Sequence, residues 1–257
     1  MIVKFSFVTL ILATFLFSCS DNSNDLDPNC SLEDAMMLKV GNYWIYTTTQ
    51  IDENGNAVAG TERIDSSFVS AMQNVAGKTA FQMITIKKSL KGIILGQDTI
   101  SYAIEGSKVS SVTGVPVNDN WIIFADCSKK QWNVADDTFK GGNYNLIDAN
   151  GNPVVASVEA HIKVTGLNQG LENLIMNNST ISTSLFNLKQ YSSYKILSNG
   201  SAVFKATNTK ELSFEIDNKK WLADGIGIVK EEVSGFKIGN EPTRNGIRKT
   251  LIRYSVK

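Results

Sequence analysis

Short segments in which apolar and polar residues alternate recur along most of this chain, and they constrain its fold more than any other feature. The clearest segment runs from Val154 to Val164, where Val158, Ala160, Ile162 and Val164 alternate with Glu159, His161 and Lys163. A period of two is typical of a β-strand with one buried and one solvated face. We therefore expect the first set to point into a core and the second to point outward.

Comparable segments, rich in β-branched and aromatic residues, are separated by turn sequences with Asn-Gly pairs, which favour tight hairpins. The turn sequences are 52–56, 148–152 and Asn199-Gly200. Trp121 to Phe124 is continuously apolar, so we expect it to be buried on both faces. The other predicted strands are 43–49, 62–72, 78–88, 99–105, 108–112, 131–139, 191–197, 201–207, 212–217, 226–233 and 247–256.

Helical patterns are confined to two short stretches. Residues 31–38 begin with Ser31 as a cap and Asp34 three residues later, and the stretch from Asn168 to Met176 places Leu167, Leu171, Leu174 and Ile175 at helical spacing. The sequence therefore predicts a mainly β, β-rich α+β fold: a curved antiparallel sheet or half-barrel with one or two short helices. No proline-rich linker divides it, so we expect residues 31–257 to form a single β-rich domain.

The N-terminus is typical of an exported protein. A basic start with Lys4 precedes an apolar run from Phe5 to Phe17, and that run of about 13 residues is shorter than the roughly 20 needed to span a bilayer. Leu16 to Cys19 resembles a lipobox. We expect residues 1–18 to be a signal peptide, Cys19 to carry palmitate and other acyl chains that anchor the protein in a membrane, and residues 19–30 to form a flexible polar tether. The acidic residues after Cys19 resemble a sorting signal for outer-membrane lipoproteins, facing the periplasm or the cell surface, although a plain linker explains them equally well.

Charge and cysteine content narrow the classes of partner and site. Lys plus Arg and Asp plus Glu both number 25, and this balance argues against a nucleic-acid partner. The oligomeric state is left open. The two remaining cysteines, Cys30 and Cys127, enter an oxidising compartment after export, where they either pair in a disulfide or remain as two free thiols. With His161 as the only histidine, a zinc site lacks ligands.

Each candidate catalytic or metal site has a simpler structural explanation. His161 shares a strand face with Glu159 and Lys163, which predicts an exposed row of ion pairs rather than a general base. Asp148, Asn150, Asn152 and Glu159 fit a calcium-loop template, but Pro153 replaces its required glycine, so a hairpin turn is the better interpretation. We predict no catalytic residue, no metal and no cofactor. A two-carboxylate hydrolase is left as an alternative, because such pairs meet only in the fold.

Two short motifs resemble a group of uncharacterised bacterial envelope lipoproteins. They are Gly41-Asn42-Tyr43-Trp44-Ile45-Tyr46 near the start, and the segment from Trp221 to Lys230 with its Gly225-x-Gly227-x-Val229-Lys230 pattern. This group is similar in architecture to lipoprotein carriers of the LolA/LolB kind. The resemblance implies a curved antiparallel sheet with helices across its concave face, and it carries over no catalytic residues.

Our first functional hypothesis is a non-enzymatic envelope lipoprotein whose curved sheet binds an apolar ligand or a lipidated envelope partner. The candidate ligand-facing aromatic residues are Trp44, Tyr46, Phe68 and Trp121. Each of them also suits a core position. The alternative from another class is a surface module that binds glycan or protein through exposed tryptophan and tyrosine side chains.

Overall fold

The computed structural model of the chain describes residues 30–113, 121–141, 144–147, 153–198, 211–238 and 242–257. The predicted signal peptide, Cys19 and the tether before Cys30 lie outside these residues, as do the predicted turns at 148–152 and Asn199-Gly200 and the predicted strand 201–207. The single helix of the described residues is α1 (Glu33–Met36). Among these residues, no helix is long and apolar enough to span a bilayer. The strands are β1 (Tyr43–Ile51), β2 (Arg63–Val75), β3 (Lys78–Ser89), β4 (Ile94–Glu105), β5 (Lys108–Thr113), β6 (Ile122–Asp126), β7 (Gln131–Lys140), β8 (Tyr144–Ile147), β9 (Pro153–Met176), β10 (Ser179–Ser198), β11 (Glu211–Ala223), β12 (Gly227–Val233) and β13 (Gly246–Ser255).

These strands form one antiparallel sheet, in the order β6-β5-β4-β3-β2-β1-β13-β12-β11-β10-β9-β7, with β8 also paired to β9. The mainly β fold class is confirmed. The sheet curves further than a half-barrel and nearly closes, leaving a seam between β6 and β7. In the described residues no helix crosses the concave face, so that feature implied by the resemblance to lipoprotein carriers is wrong here.

One end of the barrel, which we call the helix end, is covered by α1. The Leu32 N–H donates to the Gly106 carbonyl (3.2 Å), and the Gly225 N–H donates to the Asp34 carbonyl (3.0 Å). These bonds tie α1 to the β4–β5 and β11–β12 turns. The main core lies directly beneath, and its large fully buried side chains include Met36, Trp44, Phe124, Phe186 and Leu222. No helix of the described residues covers the opposite end of the barrel, where β1 ends and β13 begins, and we call it the open end.

The predicted helix at 168–176 is wrong, because this segment is the second half of the 24-residue strand β9. Asn177 and Asn178 both adopt positive φ, at 49° and 63°, and form a tight turn into β10. The register pairs Met176 with Ser179 and Leu174 with Ile181. The apolar residues at helical spacing are therefore split between faces: Leu171 and Ile175 are 78% and 83% exposed.

Two other local predictions had different outcomes. The turn at 52–56 is confirmed, because Asp52 Oδ1 accepts from the backbone N–H groups of Asn54 (2.9 Å) and Asn56 (2.8 Å). The prediction that residues 121–124 are buried on both faces is wrong for Ile122, which is 46% exposed, while Phe124 is fully buried. The difference arises because Ile122 borders an unfilled cavity of the barrel, whereas Phe124 packs in the filled core.

Candidate ligand-binding cavity

A cavity of about 970 Å³ lies inside the barrel, between the core and the open end. The sheet register places its walls on one face, since Val164 of β9 pairs with Gln190 of β10, which pairs with Ile216 of β11. The next rung joins Leu188 to Asn218. The described residues that line it are Trp121, Ile122, Val134, Ala135, Asp137, Phe139, Val164, Leu188, Gln190, Ile216, Asn218 and Val233.

Within the described residues, one buried polar atom of this lining, Oδ1 of Asn218, has no hydrogen-bond partner. Nε1 of Trp121 is also unpartnered, but although Trp121 borders the cavity its indole packs on the outer face, against Val75, Ala80, Ala103 and Val112 and beneath Lys78 Nζ (5.8 Å from the ring centroid). Leaving a buried polar group unpaired costs about 1–3 kcal/mol, so such atoms are rare in folded proteins. A third unpartnered atom, Oδ1 of Asn187, lies on the opposite face of β10, where Nδ2 of the same side chain donates to Asp217 (2.7 Å).

A largely buried ionic cluster lies one rung beyond the cavity wall. Lys220, two residues after Asn218, pairs with Glu231, two residues before Val233, and Lys249 approaches Glu231 Oε2 to 3.4 Å. Burial raises the pKa of Glu231, but the attraction of Lys220 and then Lys249 outweighs it and lowers the pKa to about 2. These three charges satisfy one another and form an internal layer between the cavity and the core.

The four aromatic residues proposed from sequence are not brought together. Trp44 and Tyr46 are buried in the core at the helix end, where Trp44 Nε1 donates to the Ile226 carbonyl and the Tyr46 hydroxyl donates to the Ile228 carbonyl (2.9 Å). Phe68 is half-buried and follows Ser67, so it lies on the outer face of β2. Of the four, Trp121 alone lines the cavity.

Sequence reasoning did not single out Asn218 or Leu188. The alternation of Leu212, Phe214 and Ile216 was visible, and extending it by two residues places Asn218 on the inner face. The sequence alone does not show that the space around Asn218 is unfilled, because this depends on the side chains of six strands.

The predicted exposed row of ion pairs around His161 is confirmed. His161 Nε2 donates to Asp136 Oδ1 (2.8 Å), Lys163 Nζ lies 3.7 Å from Asp136 Oδ2, and Lys140 Nζ lies 3.5 Å from Glu159 Oε2. The bond from His161 is the main cause that lowers the pKa of Asp136. Asp148, Asn150 and Asn152 of the calcium template lie outside the described residues. Within the described ranges, no group of three or more His, Cys, Asp or Glu side chains could hold a metal ion.

Cys30 and Cys127 form a disulfide, with their Cα atoms 6.1 Å apart and 97 residues between them in sequence number. Of the two alternatives that the sequence left open, the structure therefore shows the pair. The bond fixes the chain just before α1 to the end of β6, and so holds the cover of the helix end in place.

No family model matches this chain, and no curated protein matches its sequence. Two solved structures resemble it. One is a protein described as a lipoprotein from Parabacteroides distasonis ATCC 8503, with 10% identity, a TM-score of 0.46, and coverage of 88% of this chain and 99% of that one. The other is a protein described as exported, with a YmcC-like fold, from Bacteroides fragilis NCTC 9343, with 11% identity, a TM-score of 0.38, and coverage of 84% and 96%. At such low scores we transfer no property of either protein.

Proposed function

We propose that this chain is an exported outer-membrane lipoprotein, anchored through Cys19, whose domain binds a small and mostly apolar ligand in the barrel cavity. The cavity carries this proposal. Its volume of about 970 Å³ suits a drug-sized molecule or an acyl chain, since ligand sites measure roughly 300–1,000 Å³. Its walls are mainly aliphatic and aromatic, as in most small-molecule sites.

The unpartnered atom Asn218 Oδ1 is the group proposed to fix the ligand's orientation. An apolar molecule with one hydroxyl or amide N–H group donates a hydrogen bond there without competing with an existing one. Among the described residues of the lining, Asp137 is the one that is ionisable. A two-carboxylate hydrolase needs a second acid across the scissile bond, so we propose that the protein acts by binding and not by catalysis.

The glycan-binding alternative has less support. All four tryptophans lie in the described residues; Trp44, Trp132 and Trp221 are buried and Trp121 is half-buried. An exposed tryptophan platform for sugar rings is therefore not present.

The test is mass spectrometry of organic extracts of the purified protein, together with titration by the uncharged fluorescent probe N-phenyl-1-naphthylamine. Ala135→Phe adds a ring inside the cavity, whereas Thr138→Phe adds the same ring on the outer face of the same strand. We expect probe and extracted ligand to be lost from the first variant and kept by the second. Equal behaviour of the two variants, or no apolar molecule bound by the parent protein, would reject the proposal.

A further inference from the structure

The turn between β3 and β4, at the open end, carries a contiguous group of exposed aliphatic side chains. Leu90, Ile93, Ile94 and Leu95 are 67%, 63%, 66% and 59% exposed, and we call residues 90–95 the apolar tip. Large apolar residues on a soluble surface are normally scattered, and contiguous ones mark a contact with a protein or a membrane.

The arrangement of the apolar tip favours a lipid bilayer over a protein groove. Leu90 lies on one arm of the hairpin, and Ile93, Ile94 and Leu95 lie on the other, where Leu95 is the extra residue of a β-bulge opposite Lys87 and Lys88. All four side chains are mostly exposed, so both arms of the tip are apolar. A protein groove covers one side of a hairpin, whereas the interior of a bilayer surrounds both arms.

Several backbone N–H groups of the apolar tip form hydrogen bonds within the turn itself. The Ser89 N–H donates to the Ile93 carbonyl (2.8 Å), the Gly92 N–H donates to the Ser89 carbonyl (2.9 Å), and the Ile93 N–H donates to Ser89 Oγ (3.2 Å). Unpaired backbone groups are what normally exclude irregular segments from lipid. Here the N–H groups of Ser89, Gly92 and Ile93 are bonded within the turn, which lowers the cost of moving it out of water.

Basic residues lie where lipid headgroups would be. Lys88 precedes the tip and Lys91 lies within it, while Lys87 is paired with Asp98 (2.5 Å). Lysines next to an apolar insertion attract anionic phospholipid.

We propose that the apolar tip inserts into the interfacial region of a bilayer containing anionic phospholipid, with Lys88 at the headgroups and Lys91, at the apex of the turn, extending its side chain back toward them. Three residues on each side of the hairpin reach about 10 Å, which matches the depth of roughly 5–10 Å reached by interfacial elements. The proposal does not depend on a ligand in the cavity.

The predicted anchor permits this contact although Cys30 lies at the helix end. Cys19 precedes Cys30 by 11 positions, and 11 extended residues span up to roughly 36 Å. That reach is a few ångström shorter than the 12-residue strand β3, about 40 Å when extended, so a chain held at Cys19 brings its tip to the bilayer only with the barrel axis tilted toward the membrane.

The experiment places a reporter at the tip of the full-length protein in vesicles of phosphatidylethanolamine and phosphatidylglycerol. Ile94→Trp reports on the tip, and Leu171→Trp is the matched control, because Leu171 is equally exposed but lies on the part of β9 near the helix end. Because the parent protein has four native tryptophans, the signal of each variant is its fluorescence emission minus that of the parent. Thermal unfolding checks that both variants keep the parent's midpoint.

We expect the Ile94→Trp emission to shift to the blue and to be quenched by brominated phospholipid. Adding Lys88→Gln and Lys91→Gln should lower the equilibrium constant for membrane insertion by about fivefold for each lysine removed. An Ile94→Trp signal that brominated lipid does not quench overturns the proposal. A blue shift that grows with protein concentration and is the same with and without brominated phospholipid also overturns the proposal, because a second copy of the protein would then cover the tip.

Discussion

The indole ring of Trp132 lies directly against the backbone of Gly166 on the neighbouring strand: a Cβ at position 166 would lie 1.9 Å from the ring atom Cε2. From this position Trp132 Nε1 donates to the Ile123 carbonyl of β6 (2.9 Å). The strands β6 and β7 share no ladder of backbone hydrogen bonds. The pair Trp132 and Gly166 therefore supports a contact that bridges the seam of the barrel.

Gly166→Ala is expected to lower the free energy of unfolding by about 1–3 kcal/mol, because the added methyl group displaces a packed indole ring. Urea denaturation measures the change. Gly96→Ala is the control, since no atom lies within 4 Å of a Cβ there and its φ is not positive; it should change the stability by less than about 0.5 kcal/mol. Equal effects at the two positions would contradict the packing role of Gly166.

Reduction of the disulfide between Cys30 and Cys127 is expected to destabilise the domain by about 2–5 kcal/mol, because the bond closes a loop of 97 residues and long loops lose the most chain entropy when closed. Unfolding curves with and without dithiothreitol measure this effect. In Cys30→Ser/Cys127→Ser the reductant should have no further effect. A parent protein with identical curves in both conditions would show that the bond adds nothing.

Asn218→Leu should separate function from stability. Its Oδ1 atom is buried without a partner, so the substitution removes a cost of about 1–3 kcal/mol and the ligand-free domain should become as stable or more stable. The same change removes the acceptor proposed for the ligand, and affinity for an extracted ligand with a polar group should fall about tenfold. Isothermal titration calorimetry and urea denaturation give the two values, and loss of stability with unchanged affinity would show a structural role instead.

The sequence predicted most strands because a half-buried strand leaves a local mark, the period of two that is clear in 154–164. It failed at Asn168–Met176, where leucines at helical spacing belong to a long hairpin. The deciding signal was Asn177-Asn178, a pair of residues that tolerate positive φ, followed by the β-branched Thr180 and Ile181. Partner strands override weak local periodicity.

The cavity could be predicted only as a concave face. Trp121 was identified as a contact because it is aromatic, yet the same reasoning selected Trp44 and Tyr46, which are buried in the core. Whether an inward residue meets a filled core or an empty space depends on the opposing strands. At the level of Phe186 the interior is filled, and two residues later, at Leu188, it opens.

Glu231→Gln is expected to destabilise the protein at pH 7 by about 3–5 kcal/mol, because it leaves Lys220 and Lys249 largely buried beside a neutral group. The pKa of Glu231 is lowered to about 2, so its stabilising effect is fully present above its ordinary pKa of about 4.5 and is lost as the pH falls toward 2. The difference in unfolding free energy between parent and variant should therefore shrink across that interval.

Glu232→Gln is the control for this pH dependence. Glu232 adjoins Glu231 but lies on the outer face, where it pairs with Arg248 (2.7 Å) and Lys230 (3.7 Å). The side chains of Glu232 and Glu231 are 21% and 19% exposed, but Arg248 (33%) and Lys230 (26%) are more exposed than Lys220 (10%). Pairs with such exposed partners contribute about 0–1 kcal/mol. A Glu232→Gln effect as large as that of Glu231→Gln would show that burial of the cluster is not the cause.

Acylation of Cys19 is tested directly by feeding radiolabelled palmitate to cells that express the parent, Cys19→Ala or Cys127→Ser. We expect label in the parent and in Cys127→Ser, because both keep the lipobox-like segment at Leu16 to Cys19 intact. Cys19→Ala should take up no label and keep its leader, which slows its migration on a gel. Since each acyl methylene contributes about 0.8 kcal/mol to membrane binding, the parent should resist extraction from washed membranes by high salt. An unlabelled parent, or label retained by Cys19→Ala, would place the anchor elsewhere.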